Sequence, residues 1–245
     1  MEATVKNTGH VAAFVDIGTN AIRLLVVRIN PNFSYTIVSQ EKEVVRLGEG
    51  EFKDNILKSE AMERAIFVCG KFAALAKTYG ATEIITVGTS AIREAKNQSD
   101  FLLKLQKDTG LNARIISGEE EARLIYKGVS SGIDIGEEKA IFIDLGGGST
   151  EIAIGNQHEY FYLNSLRLGA IRLTAKFIGE GCTGHIGFGV YKTLRRFTNQ
   201  EWSYTITTSW PIHISTVYWR NSVISICPVD VGCDARVRVD SMSDS

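Results

Sequence analysis

The sequence predicts an α/β protein of two similar lobes on three observations. The first is Ile143-Asp144-Leu145-Gly146-Gly147-Gly148-Ser149-Thr150-Glu151, where an apolar strand runs into an acid, three glycines, two hydroxyls and a further apolar run. The second is an earlier copy of that order, from Ala12 to Val27, in which Val15-Asp16-Ile17-Gly18-Thr19-Asn20 again gives strand, acid, glycine and hydroxyl. Asp16 stands 128 residues before Asp144. The third is the alternation of short strand-like runs with helical periodicity between the two copies. Two strand-turn-strand units at that spacing read as an internal duplication. The lobe boundaries expected are 11–132 and 133–180, with a divergent tail at 181–245.

Three successive glycines weaken a strand, because each lacks a side chain to pack and loses the most backbone entropy on folding. Their presence implies that the backbone approaches something closely. Free N–H groups in such a turn form a concave nest for phosphate oxygens, and Asp144, at the strand end, is placed to hold a hydrated Mg²⁺ against them. A lone triple glycine would read as an ordinary β-hairpin turn; the second copy favours a pair of phosphate-binding hairpins facing one cleft. This arrangement resembles the actin, sugar kinase and 70-kDa heat-shock superfamily, which implies an actin-like (ribonuclease H-like) two-lobed fold.

Composition sets limits without naming a function. A chain of 245 residues with 44% hydrophobic and 22% charged residues is ordinary globular material. A net charge of −1 provides no overall basic field to recruit nucleic acid, so no specific nucleic-acid partner is expected. Met1 to His10 is polar, and no apolar run reaches the roughly 18 residues of a membrane span, so the expectation is a cytoplasmic protein without membrane contact. Cys69, Cys182, Cys227 and Cys233 lack CxxC pairing; they read as buried or incidental thiols rather than metal ligands.

In chain order, Val11–Ile17 and Ala21–Ile29 form a hairpin around the first turn, and Pro31-Asn32 leads into a third strand, Tyr35–Val45. Gly48 to Lys53 is a loop. Met62, Ala65, Ile66, Cys69, Phe72, Ala73 and Ala76 recur at helical spacing, with Ser59 as start cap and Gly80 as stop. Glu83–Val87 is a buried strand. A helix capped by Ser99 or Asp100 runs to Asp108, with Gly110 beyond it, and Ala113–Ile116 is the next strand. Ser117 and Glu120 then fit a capping box opening a helix with Glu119, Glu120 and Glu121 in its first turn. Acids there suit the helix dipole without any chemical duty. Three in a row also repel one another, which raises the proton affinity of at least one and makes it a candidate base. Glu120 and Glu121 point to different faces, so one alone looks into a cleft.

Five segments together resemble the exopolyphosphatase and guanosine pentaphosphate phosphohydrolase family. They are Asp16 to Arg23, Gly88 to Ala95, Ile115 to Ala122, Asp144 to Glu151, and Ser165 to Ala170. The resemblance covers about Val11 to about Ile178, which implies a first lobe that is complete and a second that is truncated. It implies Mg²⁺-dependent (or Mn²⁺-dependent) hydrolysis of the terminal phosphoanhydride of inorganic polyphosphate or of the 5′ phosphate of guanosine pentaphosphate, and allows a homodimer. It assigns Glu121 as the catalytic acid that orients or deprotonates water, and Asp144 and Glu151 as the acids beside the metal. Asp16, Thr19, Asn20, Arg23, Arg93, Gly146, Gly147, Gly148 and Ser149 are implied to face substrate phosphates. The alternatives are a phosphate- or nucleotide-binding sensor, or inactive fragment, of the same superfamily, and a sugar or acetate kinase relative.

After Glu180 the composition changes. All three tryptophans, three of four cysteines and two of three prolines lie there, against one lysine and one glutamate. The resemblance is expected to stop at this point. Trp202 to Asp230 reads as weak strands or disorder.

Overall fold

The structure is a computed structural model that describes residues 9–32, 34–137, 139–177 and, as backbone, 215–217. The chain divides into two compact units, Met1–Ser117 and Gly118–Ser245.

In the first unit the apolar, β-branched runs pair into one sheet of β1 (His10–Ile17), β2 (Ala21–Ile29), β3 (Tyr35–Val44), β4 (Glu83–Gly88) and β5 (Ala113–Ile115), ordered β3-β2-β1-β4-β5. β1 to β3 form an antiparallel meander; β4 runs parallel to β1, and β5 parallel to β4. Period-2 alternation sends Ala13, Val15, Ile17, Ile22, Leu24 and Val26 into the core. The helices are α1 (Glu51–Asp54), α2 (Ser59–Thr78), α3 (Ser90–Glu94) and α4 (Gln98–Thr109). α2 covers the sheet with Ala65, Cys69, Phe72 and Ala76, residues that its 3.6 period places on one stripe. α4 packs on α2 and buries Phe101 and Leu105 completely. Each such side chain contributes roughly 1.5–3 kcal/mol by leaving water.

Several expectations need correction here. The 48–53 loop contains the single turn α1, which the chain enters at Gly50 (φ 76) and leaves at Asn55 (φ 55). Ser59 is already helical, and Lys58 takes the N-cap position without a side-chain bond. The cap expected of Ser99 or Asp100 falls at Asn97. Its amide accepts from the Leu57 N–H at 2.9 Å and donates to the Leu57 carbonyl at 3.0 Å, so a tertiary tie takes the side chain that would have capped the helix. The stops are as expected: Gly80 (φ 79) and Gly110 (φ 75) lie in the left-handed region just beyond α2 and α4.

The second unit contains α5 (Gly118–Gly132), β6 (Ala140–Leu145), β7 (Thr150–Gly155), β8 (Tyr160–Leu166), α6 (Ala170–Phe177) and β9 (Ser215–Val217). Its sheet order is β8-β7-β6-β9 with every neighbour antiparallel. Tyr126 and Val129 of α5 pack with Phe142 and Ala153, and Tyr126 meets Phe142 edge-on at 5.6 Å. Because α5 packs on β6, β7 and β8, the compact units part at Ser117/Gly118 rather than after residue 132, where the sequence drew the line.

Apart from Ser215–Val217, the strands expected within Trp202 to Asp230 lie outside the described residues, as do Cys182, Cys227 and Cys233. Cys69 is fully buried, and burial pushes its thiol up to about 12, which fits an unreactive core cysteine. Among the described residues no helix is long and apolar enough to cross a membrane.

Candidate active site

In the second unit, strand register builds a row of polar side chains. Asp144 at the end of β6 stands directly opposite Glu151 on β7, and Glu151 directly opposite Ser165 on β8. Side chains so paired share one face, with Cβ atoms about 5 Å apart. Glu151 is 2% exposed, and its carboxyl accepts from the Ser165 hydroxyl at 2.7 Å. Burial, then the charge of Glu121, push its pKa up to about 8; hydrogen bonds from Ser165 and Ser149 oppose the rise, and Asp144 adds to it. The sequence looked for raised proton affinity in the first turn of α5. On β7 the structure shows a raised proton affinity at Glu151, with Glu121 of that first turn as its main charged cause, while Glu120 pairs with Arg123 at 3.7 Å.

A stability test follows. The folded pKa of Glu151 lies above its ordinary value of 4.5, so the folded chain holds a proton that the unfolded chain releases between the two. The associated stability is complete below pH 4.5 and is lost as pH rises through 8. Glu151→Gln stays neutral and escapes that loss. In metal-free buffer it is expected to melt roughly 2–4 °C above wild type at about pH 9 and level with it at about pH 5. Thermal melts showing the same difference at both pH values would contradict the burial of this carboxyl.

The glycine loop between β6 and β7 closes with the Gly146 N–H donating to the Ser149 carbonyl at 2.9 Å. Its other carbonyls are taken from one side. Gly146 O accepts from the Ala170 N–H at 2.9 Å, Gly147 O accepts from Ile171 at 2.9 Å and Arg172 at 3.2 Å, and Gly148 O accepts from Arg172 Nε at 2.7 Å. The Thr150 hydroxyl donates to the Leu168 carbonyl. A Cβ at Gly169 would overlap the Gly147 carbonyl and the Gly148 nitrogen, backbone atoms that cannot step aside. Gly169→Ala is therefore expected to destabilise the fold by about 1–3 kcal/mol, the usual cost of overpacking. Denaturant unfolding measures it, and a wild-type midpoint would contradict the close approach.

The first-unit hairpin is closed in the same way: the Gly18 N–H donates to the Ala21 carbonyl at 3.1 Å. The 128-residue offset maps Asp16 onto Asp144, Gly18 onto Gly146 and Arg23 onto Glu151. Both cross-strand pairs are observed, Asp16 with Arg23 and Asp144 with Glu151. The duplicated geometry thus carries opposite charge: acid with base in the first unit, acid with acid in the second. Arg23 Nη1 donates to Asp16 Oδ2 at 3.3 Å; burial raises the Asp16 carboxyl and Arg23 pulls it back. Asn20 O accepts from the N–H groups of Val45 and Arg46, and Thr19 O from that of Gly48, so the loop after β3 braces the turn. Asp16 Oδ1, Arg23 Nη2 and Asn20 Nδ2 are shut off from solvent and have no hydrogen-bond partner among the described residues. Orphaned buried polar atoms at a hairpin with this sequence suit a polar ligand.

Arg93 on α3 donates from Nη1 to the Ile116 carbonyl at 2.9 Å, which ties it to the segment leading into α5. Among the residues with site contacts that received no role from the sequence are Ser165, Gly169 and Arg172. Ser165 could have been found, since it lies one strand over from Glu151 on the same face. Gly169 and Arg172 act on backbone carbonyls, which leave no mark in a side-chain pattern.

Comparison with known proteins bears on all of this. Residues 25–220 match the Ppx/GppA phosphatase family. The match begins just after the first hairpin motif and reaches past Ile178 into the stretch set apart by composition. The chain is 36% identical over 172 residues to the bifunctional 3-dehydroquinate synthase/phosphatase of Fusobacterium nucleatum subsp. nucleatum, covering 67% of this chain and 26% of that protein. The crystal structure of an exopolyphosphatase from Cytophaga hutchinsonii superposes with a TM-score of 0.67 at 31% identity, covering 69% of this chain and 54% of that one. The Aquifex aeolicus Ppx/GppA family member gives 0.61 at 26% identity, over 76% and 61%. The chain thus spans about a quarter of the first relative and little more than half of the other two. By sequence match and by superposition it belongs to the Ppx/GppA phosphatase family and has the α/β, actin-like fold, with a partial second lobe.

Proposed function

We propose that this chain hydrolyses the terminal phosphoanhydride of inorganic polyphosphate, or the 5′ phosphate of guanosine pentaphosphate, with Mg²⁺ or Mn²⁺, in the cytoplasm. The observation that carries this reading is the glycine loop, whose carbonyls are held to one side, next to the row of Asp144, Glu151 and Ser165 under the charge of Glu121. Phosphoryl transfer asks a protein mainly to position the phosphate and offset its charge. The loop N–H groups would take the phosphate oxygens. Glu121 would orient water and accept its proton as the water oxygen bonds to the terminal phosphorus and the bridging P–O bond breaks. In the first unit, Asp16, Thr19, Asn20, Arg23 and Arg93 would face phosphate oxygens.

The acid row fits a divalent ion. Mg²⁺ usually takes one or two carboxylates and completes its shell with water and phosphate oxygens. Asp144 and Glu151 are such a pair, and a cation beside them would offset the burial and the Glu121 charge that raise the proton affinity of Glu151. When bound, the metal would neutralise phosphate charge and polarise the phosphoryl oxygens.

A second reading is phosphate binding without turnover, since a glycine nest whose carbonyls are held away can take an anion with neither a base nor a metal. Phosphate release measured in parallel from polyphosphate, guanosine pentaphosphate and ATP, with Mg²⁺ and with EDTA, separates the two. The hydrolase reading expects release from one of the first two, lost in EDTA. Binding with no release from any would leave the sensor, and release from ATP alone would point to a kinase relative.

A further inference from the structure

We infer that Arg172 is a positioning residue that locks the last peptide unit of the glycine loop in its anion-receiving orientation. The ligand named here rests on the phosphate reading above; the locking rests on loop geometry alone. A trans peptide unit carries its C=O and N–H on opposite sides. Three successive units link Gly146 to Ser149, and all three carbonyls are held by the start of α6. The Ala170 N–H holds the first, the Ile171 and Arg172 N–H groups hold the second, and Arg172 Nε at 2.7 Å holds the third. The N–H groups of Gly147, Gly148 and Ser149 therefore point the other way together, and none donates to the backbone of a described residue.

Nothing in the glycines themselves selects that arrangement. Without a Cβ, Gly147 and Gly148 move between backbone regions at little cost, so their peptide units can turn over. A turned unit would offer the anion an oxygen in place of a donor. The first two units are secured by main-chain groups that almost any sequence would supply. The third is secured by one side chain, so it is the unit that substitution can release. Arginine suits the task because Nε sits in a rigid planar fork and its charge strengthens the bond to the carbonyl. Lysine would bring the charge on a flexible stem without the fork.

The test compares the full-length wild type with Arg172→Met, which keeps an apolar stem and loses the donor, and with Arg172→Lys, which keeps the charge. Each is examined by amide NMR without ligand and by calorimetric titration with tripolyphosphate. The expected result for Arg172→Met is a displaced or broadened Ser149 amide signal and an affinity roughly tenfold weaker, the loss of one charge-assisted hydrogen bond. Arg172→Lys should recover part of both, a graded rescue that a purely structural role would not produce. Should Arg172→Met not fold, Arg172→Lys decides: a shifted Ser149 signal with affinity down at least about threefold supports the inference, and wild-type values overturn it. A wild-type Ser149 signal and affinity in a folded Arg172→Met overturn it equally. If the wild type itself binds no tripolyphosphate, the phosphate reading fails, and the ligand-free Ser149 signal still decides the role of Arg172.

Discussion

Glu121→Gln is expected to retain polyphosphate affinity, or tighten it, while turnover falls roughly 10²-fold or more. A base that accepts the proton of attacking water matters in the transition state far more than in the ground state, so the loss belongs in kcat and not in binding. The substitution keeps the size of the side chain and its place in the first turn of α5. Binding should not suffer, because a carboxylate near phosphate repels it. Glu120→Gln is the control: Glu120 pairs with Arg123, whereas the charge of Glu121 acts on Glu151. Steady-state kinetics on both variants tests this, and normal turnover in Glu121→Gln with loss in Glu120→Gln would move the catalytic role one residue along the helix.

Asp144→Asn is expected to lower activity by about 10² or more and to weaken its dependence on Mg²⁺. Asn keeps the shape and an acceptor oxygen but removes one of the two facing carboxylates. The asymmetry of the duplication sharpens the expectation. In the first unit the corresponding acid already faces Arg23, and Asp16→Asn there should reduce affinity more than turnover. A Mg²⁺ titration of phosphate release on both variants distinguishes the two acids. Activity of Asp144→Asn equal to wild type at saturating and at limiting Mg²⁺ would contradict the assignment.

Period-2 alternation and the repeated acid, glycine and hydroxyl order were enough to locate both hairpins and the facing pairs within them, because cross-strand register follows once a short turn is fixed. The same alternation placed most strands within a residue of their observed ends. α1 and α3 escaped because four or five residues carry no helical period. α5 is legible as a helix while the unit it joins is not: periodicity shows that a helix has an apolar stripe and is silent on which sheet the stripe covers. Within the site, the acids were legible as chemistry-bearing residue types at motif positions. The raised pKa of Glu151 was not, since it depends on burial and on a carboxylate 30 residues earlier in sequence. Arg172 was invisible because its partner is a carbonyl, which every residue possesses.

An amide NMR titration of the full chain with tripolyphosphate and Mg²⁺ tests most directly whether the glycine loop is a phosphate nest. The signals of Gly147, Gly148 and Ser149 should move together and saturate at one ligand concentration, as expected for N–H groups that gain charged acceptors. Binding that saturates with those three signals unmoved would contradict it.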